Sequence, residues 1–205
     1  MLLPMSSPQA VRRALRLLKA GAVVAFPTDT VYGLGTPTFD GQAVEKIYAI
    51  KGRSTEKAIP VLIAGQNDLA RVALTVPEMA TRLAAHWWPG PLTLVVPKHP
   101  SIPLSVSAGS TLGVRVPAHA ALRELLTLCG PLAVTSANLS GQPSPVTAGE
   151  VLDQLDGRIA LILDGGVTPG GIPSTVVDCT GSEPRLLREG PITFAQIENS
   201  LEPKA

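Results

Sequence analysis

The chain has 205 residues, 45% of them hydrophobic and 16% charged, which is enough apolar material for a sizeable core and excludes intrinsic disorder. Its 17 basic and 16 acidic residues leave a net charge of +1, which disfavours a polycation that holds nucleic acid by charge alone. Nineteen glycines and 20 prolines argue against a bundle of long helices, and seven aromatic residues are few for stacking bases on an aromatic platform.

Ser7-Pro8 is a helix start, a capping residue followed by proline at the first helical position. Val11, Ala14, Leu15 and Leu18 form one face of that helix, and Gly21 can end it. Arg12, Arg13, Arg16 and Lys19 fall mostly on the other side and read as a solvated face. Ala22–Phe26 follows as a short buried strand ending in a loop from Pro27 to Gly35. A helix is expected from Gln42 to Ile50, then a basic loop and a strand from Ile59 to Ala64. Further helices are expected near 68–73, 77–86, 118–128, 147–155 and 193–201, with a capping box at Thr147 and Glu150. Further strands are expected at 92–96, 113–116, 132–135, 159–163, 175–179 and 185–188, with a long loop from Pro100 to Gly113. Two pairs of successive strands have no helix between them, so the fold class is α/β with a twisted mixed sheet and flanking helices. Length points to a single domain over residues 1–205.

Cys129 and Cys179 lie in no metal-binding spacing and read as free thiols. No metal site is expected. The start of the chain lacks a charged segment followed by an apolar run, and no apolar run approaches the ~20 residues of a membrane span. The expectation is a cytoplasmic protein with no membrane partner.

P-loop, dinucleotide-binding and nucleophile-elbow motifs are absent, and His86, His99 and His119 stand alone as surface or capping residues. The chemistry-bearing residues cluster in polar loops beside apolar strands, where open α/β sheets bind ligands. Pro27–Gly35 combines hydroxyls, a carboxylate and a phenol; alone it reads equally as a turn. Lys51, Arg53 and Lys57 place three cations within seven residues, suited to phosphate or carboxylate but also consistent with a solvated loop. If Lys51 and Arg53 are exposed loop cations, replacing them should cost activity and little stability. Thr135–Ser144 supplies four hydroxyls and two amides. Ser110–Arg115, Pro173–Asp178 and Leu186–Gly190 each set Ser, Thr or Arg beside a strand. Together they describe a hydroxyl-lined cavity with several cations, suited to a nucleotide plus a small zwitterion.

These motifs, in this order, resemble those of the YrdC-type threonylcarbamoyl-AMP synthases. The likeness covers about Ser7 to Gly190: PTDTVYGLG, the K-x-R of Lys51 and Arg53, PGPLT, GVRVP, the S-x-N of Ser136 and Asn138, Pro143-Ser144, STVVD and Arg188. The resemblance implies a YrdC/RibB-like sheet around a positively charged concave cavity. The implied enzyme is a nucleotidyltransferase that joins ATP, L-threonine and bicarbonate into threonylcarbamoyl-AMP and releases pyrophosphate. Partner proteins of a threonylcarbamoyl-transferase complex would then modify tRNA, with a weak tRNA contact by this chain. Carried over by residue, Lys51, Arg53, Ser136 and Asn138 form the catalytic quartet. Arg53, Lys57, Thr111, Ser136, Ser144 and Arg188 would contact ATP. Thr30, Arg115, Ser174 and the backbone at Val134 would contact threonine, with Thr28 and Tyr32 in or behind the cavity wall. Mg²⁺ would arrive on the ATP phosphates. Asp29 stands where many relatives have Glu, Ser54 and Ala58 where proline is common, and Leu62 where some place histidine. The expectation is a chain of the short bacterial type, without the extra C-terminal domain of longer members. The alternative reading is an RNA-binding module using the same basic concave face, which would need its cations in one continuous stripe. Lys51, Arg53, Arg115 and Arg188 converging on one pocket would count against it.

Overall fold

Ser7 opens the first helix as its sequence predicts, its side chain accepting the backbone N–H of Ala10. The computed structural model describes residues 1–202. Their elements are β1 (Leu2–Pro4), α1 (Pro8–Lys19), β2 (Val24–Phe26), β3 (Gly33–Pro37), α2 (Gly41–Lys51), β4 (Val61–Leu62) and a 3₁₀ turn (Gln66–Arg71). Then come α3 (Glu78–Trp87), β5 (Leu92–Pro97), β6 (Thr111–Arg115), α4 (Ala120–Cys129) and β7 (Leu132–Ser136). The last are α5 (Ala148–Leu155), β8 (Leu161–Asp164), β9 (Thr175–Asp178), β10 (Arg185–Arg188) and α6 (Phe194–Leu201). No helix among these residues is long and apolar enough to cross a membrane.

The strands form one sheet in the order β1-β8-β2-β3-β7-β4-β6-β5-β9-β10. It is mixed, as expected: β8 runs parallel to both β1 and β2, and β5 runs parallel to β9, while β3 is antiparallel to both β2 and β7. Alternation along each strand sorts the side chains onto two faces. On one face Ala25, Leu34, Val61, Ala133 and Val177 pack with the inner residues of α2, α3, α5 and α6. On the other, Phe26, Leu62, Leu132 and Val134 pack with Ala10, Ala14 and Leu18 of α1 and with Leu122, Leu125 and Leu126 of α4. Burying a side chain such as Leu18 contributes roughly 1.5–3 kcal/mol.

The helix pair α1 and α4 covers only part of that second face. Cross-strand partners share a face, so Gly33 with Ser136, Leu62 with Arg115, and Thr93 with Val176 and Arg188 extend it beyond the helices. The uncovered part is the floor of the candidate site.

Several expectations need correction. Gly33–Pro37 is a strand in the body of the sheet, where the sequence suggests a loop as far as Gly35. Glycine weakens strand propensity, but packing demands it here. A Cβ at Gly35 would stand 2.7 Å from Phe26 Cζ, and one at Gly33 2.8 Å from Val134 Cγ1. Leu2–Pro4 is an unforeseen edge strand, too short to show a pattern. The strand foreseen at 59–64 holds only Val61–Leu62, and the helix near 68–73 is a 3₁₀ turn. Thr147 caps α5, yet the Glu150 carboxylate accepts from Val146 N–H, so the reciprocal box does not close. A closed capping box stands instead at Thr193 and Gln196.

Candidate functional site

The β2–β3 loop is held by its own hydroxyls. Thr28 Oγ1 donates to the Val31 carbonyl (2.7 Å) and accepts from the N–H groups of Thr30 (3.0 Å) and Val31 (3.3 Å). Such a turn presents Thr30 Oγ1 at a fixed position. The loop also anchors its neighbours. Tyr32 N–H donates to Pro145, and Gly171 N–H donates to Thr30. Tyr32 Oη donates to Gly166 (2.8 Å), which ties the β8–β9 loop to the sheet.

A cavity of about 240 Å³ opens over the uncovered sheet face. That is below the usual range for pockets that enclose a drug-sized ligand, so a larger ligand would extend through the mouth. Pro60, Leu62, Val134 and Val176 give it an aliphatic wall, and Thr30, Thr93, Ser136 and Ser174 give it hydroxyls. Arg53, Arg115 and Arg188 also line it.

Each guanidinium is fixed differently. Arg115 is buried; it donates from Nε to Gly90 O (2.9 Å), from Nη1 to Thr30 Oγ1 (2.9 Å) and from Nη2 to Asp29 Oδ1 (2.5 Å). Burial lowers its pKa, and the charge and hydrogen bond of Asp29 oppose that shift. Arg188 donates from Nε (3.0 Å) and Nη2 (2.8 Å) to the Ser174 carbonyl, and Nη2 also reaches Ser174 Oγ (3.2 Å). Its pKa is lowered by burial and then by the like charge of Arg115. Ser174 Oγ lies 2.8 Å from Thr93 Oγ1. Arg53 donates to the carbonyls of Lys57 (3.4 Å) and Ala58 (3.1 Å) in its own loop.

Lys51 does not join them in the lining. It is 2% exposed and lies beneath the turn after β7. Its Nζ donates to the carbonyls of Ser136 and Asn138 and, at 3.3 Å, to Asn138 Oδ1. Burial, then the like charge of Arg53, lowers its pKa to about 7. The three oxygens match the three donors of an ammonium and pull the other way. Asn138 is buried too; it accepts from Ser136 Oγ and donates to Leu139 (2.8 Å) and Gln142 (2.7 Å). Lys51 and Asn138 therefore brace the backbone that carries Ser136. The premise that Lys51 is an exposed loop cation is wrong: it ends α2 on the buried face of Val44, Ile47 and Tyr48.

Of the other sequence candidates, Thr30, Arg53, Arg115, Val134, Ser136, Ser174 and Arg188 come together at the cavity, with Thr28 and Tyr32 in its wall. Three of the four cations expected to converge do so. Lys57 is exposed, Ser144 is half-buried, and neither lines the cavity. Thr111 opens β6 four residues before Arg115, about 13 Å away along a strand. The sequence assigns Thr93 no role and marks Asp29 only as the carboxylate of its loop and a departure from the Glu of many relatives. Their partners Ser174 and Arg115 are 81 and 86 residues away, a pairing only the fold creates.

His119 caps α4, its Nδ1 accepting from Leu122 N–H. Both cysteines are free, and burial pushes Cys129 up to about 11 and Cys179 up to about 12. Among the described residues no group of three or more His, Cys, Asp and Glu side chains could hold a metal.

The Sua5/YciO/YrdC family model, described as telomere recombination, matches residues 16–190. A Pyrococcus abyssi protein named threonylcarbamoyl-AMP synthase is 43% identical over 92% of this chain and 56% of its own length. A Bacillus subtilis protein of the same name is 45% identical over 97% of this chain and 58% of its own. The chain thus spans somewhat over half the length of both. The crystal structure of P. abyssi Sua5 complexed with L-threonine superposes with a TM-score of 0.91 at 42% identity, covering 93% of this chain and 57% of that one. A family match over residues 16–190, two relatives 43% and 45% identical and close structural likeness lead to one assignment: the chain belongs to the Sua5/YciO/YrdC family.

Proposed function

We propose that the protein is a threonylcarbamoyl-AMP synthase, a nucleotidyltransferase that uses ATP, L-threonine and bicarbonate and releases pyrophosphate. The observation that carries the reading is the meeting of Arg53, Arg115 and Arg188 with the hydroxyls of Thr30, Ser136 and Ser174 in one cavity. Relatives bearing that name, and a relative crystallised with L-threonine, support it.

In this reading the threonine amine attacks the carbon of bicarbonate, forming a C–N bond and, with loss of water, a carbamate. A carbamate oxygen then attacks the α-phosphorus of ATP, and the bond to the β-phosphate oxygen breaks to release pyrophosphate. Both partners in the second step are anions, so their repulsion must be offset before they meet. Fixed donors at an excluded site do this without reorganising as the reaction proceeds. Arg53, Arg188 and Ser136 are assigned to the phosphates. Thr30, Arg115, Ser174 and the backbone at Val134 are assigned to threonine. Lys51 and Asn138 hold the Ser136 turn, and Lys57, Ser144 and Thr111 serve as outer contacts to ATP. Adenine would rest on aliphatic side chains and backbone of the cavity wall.

Mg²⁺ enters as part of the Mg–ATP substrate, held by phosphate oxygens and water. The product passes to a transfer complex that acts on tRNA, and residues 1–202 act as one domain built on a single sheet. The reading is tested by pyrophosphate release with each substrate omitted in turn. It requires release to depend on threonine and on bicarbonate; release from ATP alone would sink it.

A further inference from the structure

The cavity carries three guanidiniums, and among the described residues only one has a counterion. Arg53 donates to two carbonyls, and Arg188 to a carbonyl and a hydroxyl. Arg115 instead meets Asp29 at 2.5 Å, with side chains 7% and 10% exposed. No Asp or Glu is among the residues lining the cavity; Asp29 stands behind Arg115. Asp29 offsets part of the Arg115 charge in a poorly screened place. Three of the five guanidinium N–H groups of Arg115 are taken by Gly90, Thr30 and Asp29, which leaves two for a ligand. The field in the cavity is therefore uneven: Asp29 weakens it at Arg115, whose charge still reaches Arg188, and no counterion weakens it at Arg53 and Arg188.

Asp29 is also held in place by the fold. Gly171 N–H donates to Thr30 O at 2.9 Å. A Cβ at Gly170 would stand 2.6 Å from the Asp29 carbonyl oxygen, so the β8–β9 loop lies directly on this residue.

We propose that Asp29 is a positioning and specificity residue: it fixes the Arg115 fork and offsets its charge. That end of the cavity then takes a net-neutral α-amino acid and refuses phosphate, which gathers at Arg53 and Arg188. The inference rests on the reading of the site as one that joins an amino acid to ATP, and it explains how two ligands are sorted in one small space.

The test is calorimetric titration of threonine with and without saturating inorganic pyrophosphate, using the wild type, Asp29→Asn and Asp29→Glu. Asparagine keeps the shape and an acceptor oxygen but removes the charge. In the wild type, pyrophosphate should change threonine affinity by less than about two-fold. In Asp29→Asn the Arg115 end becomes cationic, pyrophosphate competes for it, and apparent threonine affinity falls at least about ten-fold. Asp29→Glu should restore the wild-type behaviour. Equal competition in the wild type and Asp29→Asn, or none in both, overturns the inference. Displacement of threonine from the wild type also overturns it and needs no variant, so an unfolded Asp29→Asn leaves the test standing. A wild type that binds pyrophosphate but no threonine fails differently: it rejects the functional reading on which the inference rests.

Discussion

Replacing Lys51 by methionine removes three donors from a buried place while roughly keeping the volume. The carbonyls of Ser136 and Asn138 and the Asn138 side-chain oxygen would lose their shared partner. A buried acceptor left unpaired costs about 1–3 kcal/mol, and a loss of roughly 2–4 kcal/mol is expected for the group at pH 7 after local relaxation. The pH dependence is the sharper readout. The Lys51 pKa falls from 10.5 in the unfolded chain to about 7 in the folded one. Below pH 7 both states carry the charge, and folding bears the whole cost of burying it. Between pH 7 and 10.5 the unfolded state binds more protons, so stability rises with pH. The ceiling on that rise is about 1.4 kcal/mol per pH unit, and the three oxygen acceptors reduce it. Urea unfolding of both proteins from pH 6.5 to 9.5 tests this. Wild-type stability should rise with pH relative to Lys51→Met, so the gap between them widens. A constant gap below about 1 kcal/mol would refute the buried clamp.

Three further outcomes are expected. Gly35→Ala should cost about 1–3 kcal/mol in urea unfolding, because its methyl meets the Phe26 ring; an unchanged midpoint would contradict the packing of β3. Thr93→Val removes the hydroxyl beside Ser174, and should raise the KM for threonine several-fold while stability falls by only about 1 kcal/mol; a change confined to the KM for ATP would contradict the assigned subsite. Cys179 should resist a thiol-specific disulfide reagent at pH 8 in the folded protein and react after denaturation, because it is fully buried and burial raises its pKa, while the half-buried Cys129 reacts first; rapid native labelling of Cys179 would contradict its burial.

The sequence carries most of the helices and much of the site, for separable reasons. α1 is legible because Ser7 and Pro8 mark its start and its apolar residues keep one face. Arg115 and Arg188 are legible because arginine beside a strand is costly unless engaged. β3 is not, since Gly33 and Gly35 answer to Phe26 and Val134, which only the assembled sheet brings close. The depth of Lys51 had a usable signal: it follows Val44 by seven residues and Ile47 by four, which continues the buried face of α2. Reading K-x-R as one loop motif hid it. The Asp29–Arg115 pair had no local signal at all, because no periodicity links residues so far apart.

The most direct test of the central claim is mass spectrometry of the nucleotide product formed from ATP, L-threonine and ¹³C-bicarbonate. The account predicts threonylcarbamoyl-AMP whose mass rises by one unit with the labelled carbon. A threonine adduct of AMP that carries no label would contradict it.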